Sequence, residues 1–318
     1  MSTLFLNKSD MRSLLNMADV IVAVEQAFKD WALGKAKMPS KAYLVLEQGD
    51  FRAMPGAIPG AAGMKWVNVH PQNQSLGLPT VMAIIIYNDP DTGYPLAVLD
   101  ATDITAYRTG AAAAVASKYL ARKNSRTLGL VGAGRQSYTQ LMAHGELFDL
   151  RQIKVFDKRS AAVETFIKSF PTYSIQACSL EETVASDIVC TVTPARKPFL
   201  KSEWVRPGTH INAIGADAEG KEELEPSLLK KAVVVVDDLM QAAAAGEINV
   251  PVSKGLFEVE EVYATLSEII VGKKQGRKDK KAITIFDSTG LAIEDIAVAK
   301  LVYDKASKAG GYLSLDFV

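Results

Sequence analysis

Leu128-Gly-Leu-Val-Gly132-Ala-Gly134-Arg-Gln-Ser137 decides the fold. An apolar strand runs into two glycines one residue apart, and a helix-forming stretch follows at once. The first glycine permits a tight turn, and the second lets backbone amides approach a pyrophosphate at the helix N-terminus. The third position of the fingerprint is Ser137, and a side chain that small still allows close helix–strand packing. The next strand, Lys154-Val-Phe-Asp157, supplies an acidic residue suited to the adenosine ribose hydroxyls and repellent to a 2′-phosphate. These residues point to a Rossmann domain that binds a dinucleotide, NAD in preference to NADP. Arg135, Lys158 and Arg159 lie close enough in sequence to accept a 2′-phosphate and keep NADP as the alternative.

Beyond Thr102 strands alternate with helices. Thr127–Val131, Ile153–Phe156, Asp187–Thr193, His210–Ile214, Val233–Val236 and Ile283–Phe286 are short and apolar, as buried parallel strands with crossover helices are. An alanine-rich helix is expected over Thr105–Arg122, a long closing helix over Leu291–Lys308, and a last strand over Tyr312–Val318 that returns to the first domain. Upstream the rhythm differs. Val20, Val24, Ala27, Phe28 and Trp31 form one stripe of a helix over Asn16–Leu33, with Asn16 as N-cap and Gly34 as stop. Strands Ala42–Glu47, Phe51–Met54, Met64–Val69, Thr80–Tyr87 and Pro95–Leu99 follow, with turns at Gln48-Gly49-Asp50 and Asn88–Gly93. The expected fold class is α/β: a doubly wound Rossmann domain plus an α+β substrate and dimerisation domain with an antiparallel sheet. The division falls at 1–115, joined by 295–318, and 116–294.

Composition agrees. A chain of 318 residues exceeds the roughly 250–300 at which one core stops growing. Lysine plus arginine and aspartate plus glutamate both number 36, so no net field draws nucleic acid or an acidic membrane. Cys178 and Cys190 form neither a disulfide framework nor a metal-type spacing, and no metal is expected. The start, MSTLFLNKSD, lacks a basic region followed by an apolar one, and the runs Val81–Tyr87 and Val233–Val236 are strand-sized. A cytoplasmic setting is expected.

Three histidines, His70, His144 and His210, sit in no catalytic pattern. Cations inside apolar strands carry more information. Lys65 lies among Met64, Trp66 and Val67, and Arg52 between Phe51 and Ala53-Met54. Each is either an outward-facing sheet residue or a buried cation with an anionic partner. A partly desolvated lysine has a lowered pKa and can shuttle a proton near neutrality. Asp217, in Ile214-Gly-Ala-Asp217, follows a strand and is either a ligand group at the carboxyl edge or a helix cap. In Asp287-Ser288-Thr289-Gly290, Ser288 or Thr289 is either an N-cap or a nicotinamide contact.

Taken together, Lys65-Trp-Val-Asn68-Val-His-Pro71, Leu78-Pro-Thr80, Arg108-Thr-Gly-Ala111, Gly132–Ser137, Asn212-Ala-Ile-Gly-Ala-Asp217 and Phe286-Asp-Ser-Thr-Gly290 resemble the ornithine cyclodeaminase/μ-crystallin family over nearly the whole chain. Trp31-Ala-Leu-Gly-Lys-Ala, Arg52-Ala-Met-Pro55 and Lys65-Trp-Val-Asn68 look most like its archaeal branch that oxidises L-alanine with NAD. The resemblance implies a homodimer without nucleic-acid or membrane partners, acting on a small amino acid or keto acid. It implies that Lys65 transfers the proton and Asp217 acts on the water or amine. Lys41 and Arg52 would hold the substrate carboxylate. Thr80, Arg108, Gly132, Gly134, Arg135, Gln136, Asp157, Lys158, Arg159, Thr193, Lys221 and Ser288 would serve the cofactor. Cyclodeaminases carry an acidic residue where this chain has Arg52, which suits a distal ammonium; Arg52 would repel one, at a cost of several kcal/mol. Oxidation of alanine to pyruvate and ammonium is therefore the expected reaction. Cyclodeamination or ketimine reduction is the second reading, and non-catalytic binding of a cofactor or small ligand the third.

Overall fold

The computed structural model describes residues 2–316 and contains two compact units, Met1–Arg108 with Leu291–Val318, and Thr109–Gly290. The first unit holds strands β1 (Thr3–Leu6), β2 (Ala42–Leu46), β3 (Gly49–Ile58), β4 (Ala61–Val69), β5 (Val81–Asn88), β6 (Pro95–Asp100) and, numbered in chain order, β15 (Leu313–Leu315). They form one sheet in the order β15-β1-β6-β5-β4-β3-β2. The expected antiparallel meander runs from β2 to β6, but β1 joins β6 in parallel, so the sheet is mixed.

Period-two alternation sends Arg52 and Met54 of β3, Lys65 and Val67 of β4, and Ala83, Ile85 and Tyr87 of β5 to one buried face. The helix Ala292–Ala309 packs on β3, β4 and β5 along that face, and the helix Met17–Ala32 packs on it in turn. Two glycines allow the close approach. A Cβ at Gly56 would stand 3.1 Å from Ala292 Cβ, and one at Gly63 would strike the Ile86 carbonyl and come within 3.0 Å of Ile296 Cδ1. Val20, Val24 and Phe28 of the Met17–Ala32 helix are fully buried, worth about 1.5–3 kcal/mol each. Asn16 caps that helix through the Asp19 amide, and Gly34 ends it at φ +68°.

The second unit contains β7 (Thr127–Val131), β8 (Gln152–Phe156), β9 (Ile175–Ala177), β10 (Ile188–Thr191), β11 (His210–Ala213), β12 (Val233–Val236), β13 (Ala264–Thr265) and β14 (Thr284–Asp287). Every pairing is parallel, and the order is β13-β12-β14-β11-β10-β7-β8-β9. The chain moves outward from β7 to β8 and β9, then returns to place β10 on the other side. That reversal between β7 and β10 is the switch point at which open α/β sheets bind ligands. Leu128, Leu130, Ile153, Val155, Ile188 and Cys190 pack under one layer of helices. Val131, Val189, Ile211, Val234, Val236 and Ile285 pack under the other.

Several boundaries differ from the sequence reading. The hairpin turns at Glu47-Gln48, because Leu46 pairs with Gly49 and β3 extends over ten residues. β1 and the helix Lys8–Leu14 are too short for periodicity to reveal. The closing strand spans Leu313–Leu315, and Phe317 and Val318 of the expected strand lie outside the described residues. Among the described residues no helix is long and apolar enough to cross a membrane.

Candidate active site

In the first unit the inward face of β3 and β4 gathers charge. Lys65 Nζ lies 2.7 Å from Asp295 Oδ2, with both side chains essentially inaccessible. Arg108 donates from Nε to the other Asp295 oxygen at 3.2 Å and pairs through Nη1 with Glu294 at 3.0 Å. Burial drives the Lys65 ammonium down and the Asp295 carboxylate drives it up, while Arg108 and Lys41 lower it further; the balance falls at about 7. A group so poised can accept or return a proton at neutral pH.

Arg52, two residues before Met54 on the same face, is buried and forked onto Asp50, with Nε–Oδ1 at 2.6 Å and Nη2–Oδ2 at 3.3 Å. Its guanidinium also lies 5.4 Å from the Tyr43 ring centroid. Tyr43 is the cross-strand neighbour of Arg52 on β2, so the pleat itself makes this contact. A rigid fork of this kind matches a carboxylate. The buried-cation reading of Lys65 and Arg52 thus prevails over the outward-facing one.

In the second unit the residues expected to serve the cofactor line up along the carboxyl edge of the parallel sheet. Gly132 adopts φ +107°, which only glycine takes readily. Ser137 is fully buried and donates its hydroxyl to the Gly132 carbonyl at 2.5 Å, so the serine ties the turn that a third glycine would only permit. Gly134 caps the Arg135–Leu147 helix without a side-chain bond, and a Cβ built there would meet nothing within 4 Å. Neither φ nor protein packing requires glycine at 134; the open space above the bare helix N-terminus is what a pyrophosphate needs. The buried Gln136 Oε1 has no hydrogen-bond partner among the described residues. Asp157 accepts from the Ala133 amide at 2.8 Å and the Arg159 amide at 2.9 Å. Partial burial raises its pKa, but these bonds and the Arg159 guanidinium outweigh it and hold the carboxyl below its usual range. The residues present fit a dinucleotide whose ribose meets a carboxylate.

Further along the edge, Thr193 donates through its amide (2.8 Å) and hydroxyl (2.6 Å) to Glu223, which also accepts from Thr191 and Gly215. Glu223 therefore staples the ends of β10 and β11. Asp217 follows β11 and pairs with Lys221, with no helix for it to cap. Asp237 accepts from the Thr289 amide at 2.6 Å and the Gly290 amide at 2.7 Å, and the Ser288 hydroxyl stands 3.5 Å away. The next helix begins at Ala292 with Leu291 as its N-cap, so neither Ser288 nor Thr289 caps it. Arg135, Lys158 and Arg159 are exposed beside the loop.

Lys65, Arg52, Lys41, Arg108 and Thr80 thus belong to one unit, and the other named residues to the second. The structure adds Asp295, Glu294 and Asp50, and gives Arg108 two carboxylate partners. A signal existed: Glu294-Asp295 are the only acids in the apolar run Leu291–Leu301. Acids there need buried cations, as Lys65 and Arg108 need buried acids.

A profile of the ornithine cyclodeaminase/mu-crystallin family matches residues 1–310. The alanine dehydrogenase of Archaeoglobus fulgidus is 54% identical over 308 residues, 96% of either chain. A delta(1)-pyrroline-2-carboxylate reductase of Bacillus cereus is 34% identical, covering 99% of this chain and 100% of the relative. A solved archaeal alanine dehydrogenase dimer with bound NAD superposes with a TM-score of 0.98 at 52% identity, covering 100% of both chains. With the glycine loop, the buried lysine and the parallel sheet already in place, these likenesses settle the lineage: the chain belongs to the ornithine cyclodeaminase/mu-crystallin family.

Proposed function

We propose that this enzyme converts L-alanine, NAD and water to pyruvate, ammonium and NADH with release of a proton, and runs the reverse. The observation that carries the reading is a fully buried lysine poised near neutrality, in a chain 54% identical to an alanine dehydrogenase. Bound NAD supplies the hydride acceptor for the substrate α-carbon. Gly132, Gly134, Arg135 and Gln136 would cradle its pyrophosphate. Asp157 would hold the adenosine ribose, with Thr193, Lys221 and Ser288 toward the nicotinamide and Thr80 and Arg108 as further contacts.

Lys65 Nζ takes the proton of the substrate ammonium, leaving the amine lone pair free to assist loss of hydride. Arg52 and Lys41 hold the carboxylate and fix which face of the α-carbon is presented. Asp217 orients the water that adds to the iminium carbon and takes a proton from it; Lys65 returns its proton to the nitrogen as ammonia leaves, and the remaining hydroxyl proton passes to solvent as the carbonyl forms. A second ammonium on the substrate would meet the buried Arg52, which disfavours cyclodeamination here although cyclodeaminases are relatives. The exposed apolar residues Leu44, Val45 and Leu46 of β2 support a homodimer like the related solved one. The free thiols of Cys178 and Cys190 fit a reducing cytoplasm.

Lys65→Ala is expected to lower kcat for alanine at least 10³-fold while NAD binding, followed by fluorescence, stays unchanged. Full turnover by that variant would overturn the proposal.

A further inference from the structure

Lys65 does not stand alone: buried charged groups from two helices stand beside it. From the helix Ala292–Ala309 come Asp295 and Glu294, both in the first turn and both fully buried. From the helix Thr102–Leu120 comes Arg108. Lys41, just before β2, is felt at longer range, and the cross-strand neighbours of Lys65 are Met54 and Ile85, which carry no charge. Contacts run from Lys65 to Asp295, Asp295 to Arg108, and Arg108 to Glu294, at 2.7, 3.2 and 3.0 Å. Charges alternate along this chain and sum to zero when Lys65 is protonated.

The pairing matters because of what each member alone would become. A fully buried lysine with no counter-ion sheds its proton and becomes a base too weak to take one from an amine. A lysine paired with a lone buried carboxylate would hold its proton too firmly to release it. Arg108 tempers the carboxylate by drawing on its second oxygen, and Glu294 fixes Arg108. Position is enforced as well. The close contacts at Gly56 and Gly63 seat the start of the helix directly on β3 and β4.

We propose that Asp295 is a positioning residue for proton transfer: it aims Lys65 Nζ and keeps it able to carry a proton, while Arg108 and Glu294 lock its carboxylate. This rests on Lys65 being the proton-transferring group.

The test is the pH profile of kcat for alanine oxidation. In this direction Lys65 must be neutral to act, so activity rises with pH through its pKa, near 7 in the native enzyme. Asp295→Asn removes the charge that raises that pKa. The rising limb is expected to move at least one pH unit lower and the plateau to fall at least tenfold. Asp295→Glu, which restores the charge, returns the limb to within about half a unit of the native position. A merely structural role would lower the folded fraction and leave the limb where it was. Asp295→Asn with its limb at the native position, whatever its plateau, overturns the inference while leaving Lys65 in place. Full activity in Lys65→Ala instead overturns the underlying reading. If Asp295→Asn does not fold, the Lys65 Nζ of the native enzyme is titrated by nitrogen NMR, assigned with Lys65→Arg. A midpoint between pH 6 and 8 that Asp295→Glu keeps to within about half a unit supports the inference, and any other result refutes it.

Discussion

Replacing His144 by asparagine should flatten the acid side of this protein's stability curve. His144 is fully buried, with Nδ1 2.8 Å from the Gln140 carbonyl and Nε2 2.9 Å from the Ser117 hydroxyl. A carbonyl only accepts, so Nδ1 carries the proton and Nε2 receives one from serine. Burial pushes its pKa down to about 4. His210, equally buried and bonded to Thr284 and Asn212, is pushed down to about 3 by burial and by Arg277. Unfolded histidine titrates near 6.5. Both folded pKa values are depressed, so the unfolded chain binds more protons below pH 6.5, and stability falls as pH falls. Each histidine removes about 1.4 kcal/mol per pH unit until its folded pKa is reached. At pH 5 the pair together removes about 4 kcal/mol from a total of roughly 5–15. Asparagine sacrifices packing at every pH, but it does not titrate. Urea unfolding followed by circular dichroism from pH 5 to 7.5 should therefore show His144→Asn losing about 1 kcal/mol per unit less than the native protein. Parallel curves would refute the claim that buried His144 stays neutral and serves only the core.

Three further outcomes follow from single contacts. Asp157→Ser removes the carboxylate that repels a 2′-phosphate and leaves Arg135, Lys158 and Arg159 beside it, so the ratio of kcat/KM for NADP to that for NAD should rise at least tenfold. An unchanged ratio would remove Asp157 from cofactor choice. Arg52→Glu places a second acid beside Asp50 and should lower kcat/KM for alanine at least 100-fold, mainly through KM. A loss under threefold would mean that Arg52 does not hold the carboxylate. Gly110→Ala drives a Cβ into the Thr139 carbonyl and should cost about 2–3 kcal/mol, lowering Tm by roughly 4–10 °C in a thermal melt. An unchanged Tm would show that the two helices can separate without cost.

The Rossmann unit was legible because its signals are local. A glycine pair between strand and helix, and an acid after the next strand, lie within thirty residues and need no tertiary partner to be read. Lys65 and Arg52 stood out for the opposite reason, being cations in apolar strands that need either a solvent-facing side or an anion. Their anions could not be assigned. Asp50 looked like a turn residue until the β2–β3 register moved the turn to Glu47-Gln48. Asp295 lies 230 positions beyond Lys65 in sequence, and only the packing of the last helix on β3 and β4 joins them. Ser288 was open to a capping role because it precedes a helix, yet Asp237, 51 residues upstream, holds that turn from the next strand. Pairings across such separations are tertiary facts, and periodicity carries no trace of them.

NADH formation and product identity with single amino acids test the central claim most directly. Purified enzyme with NAD and L-alanine should form NADH and pyruvate in equal amounts, and L-ornithine should yield little of either NADH or proline. NAD reduction with ornithine but not with alanine, or proline formed without net NADH, would contradict it.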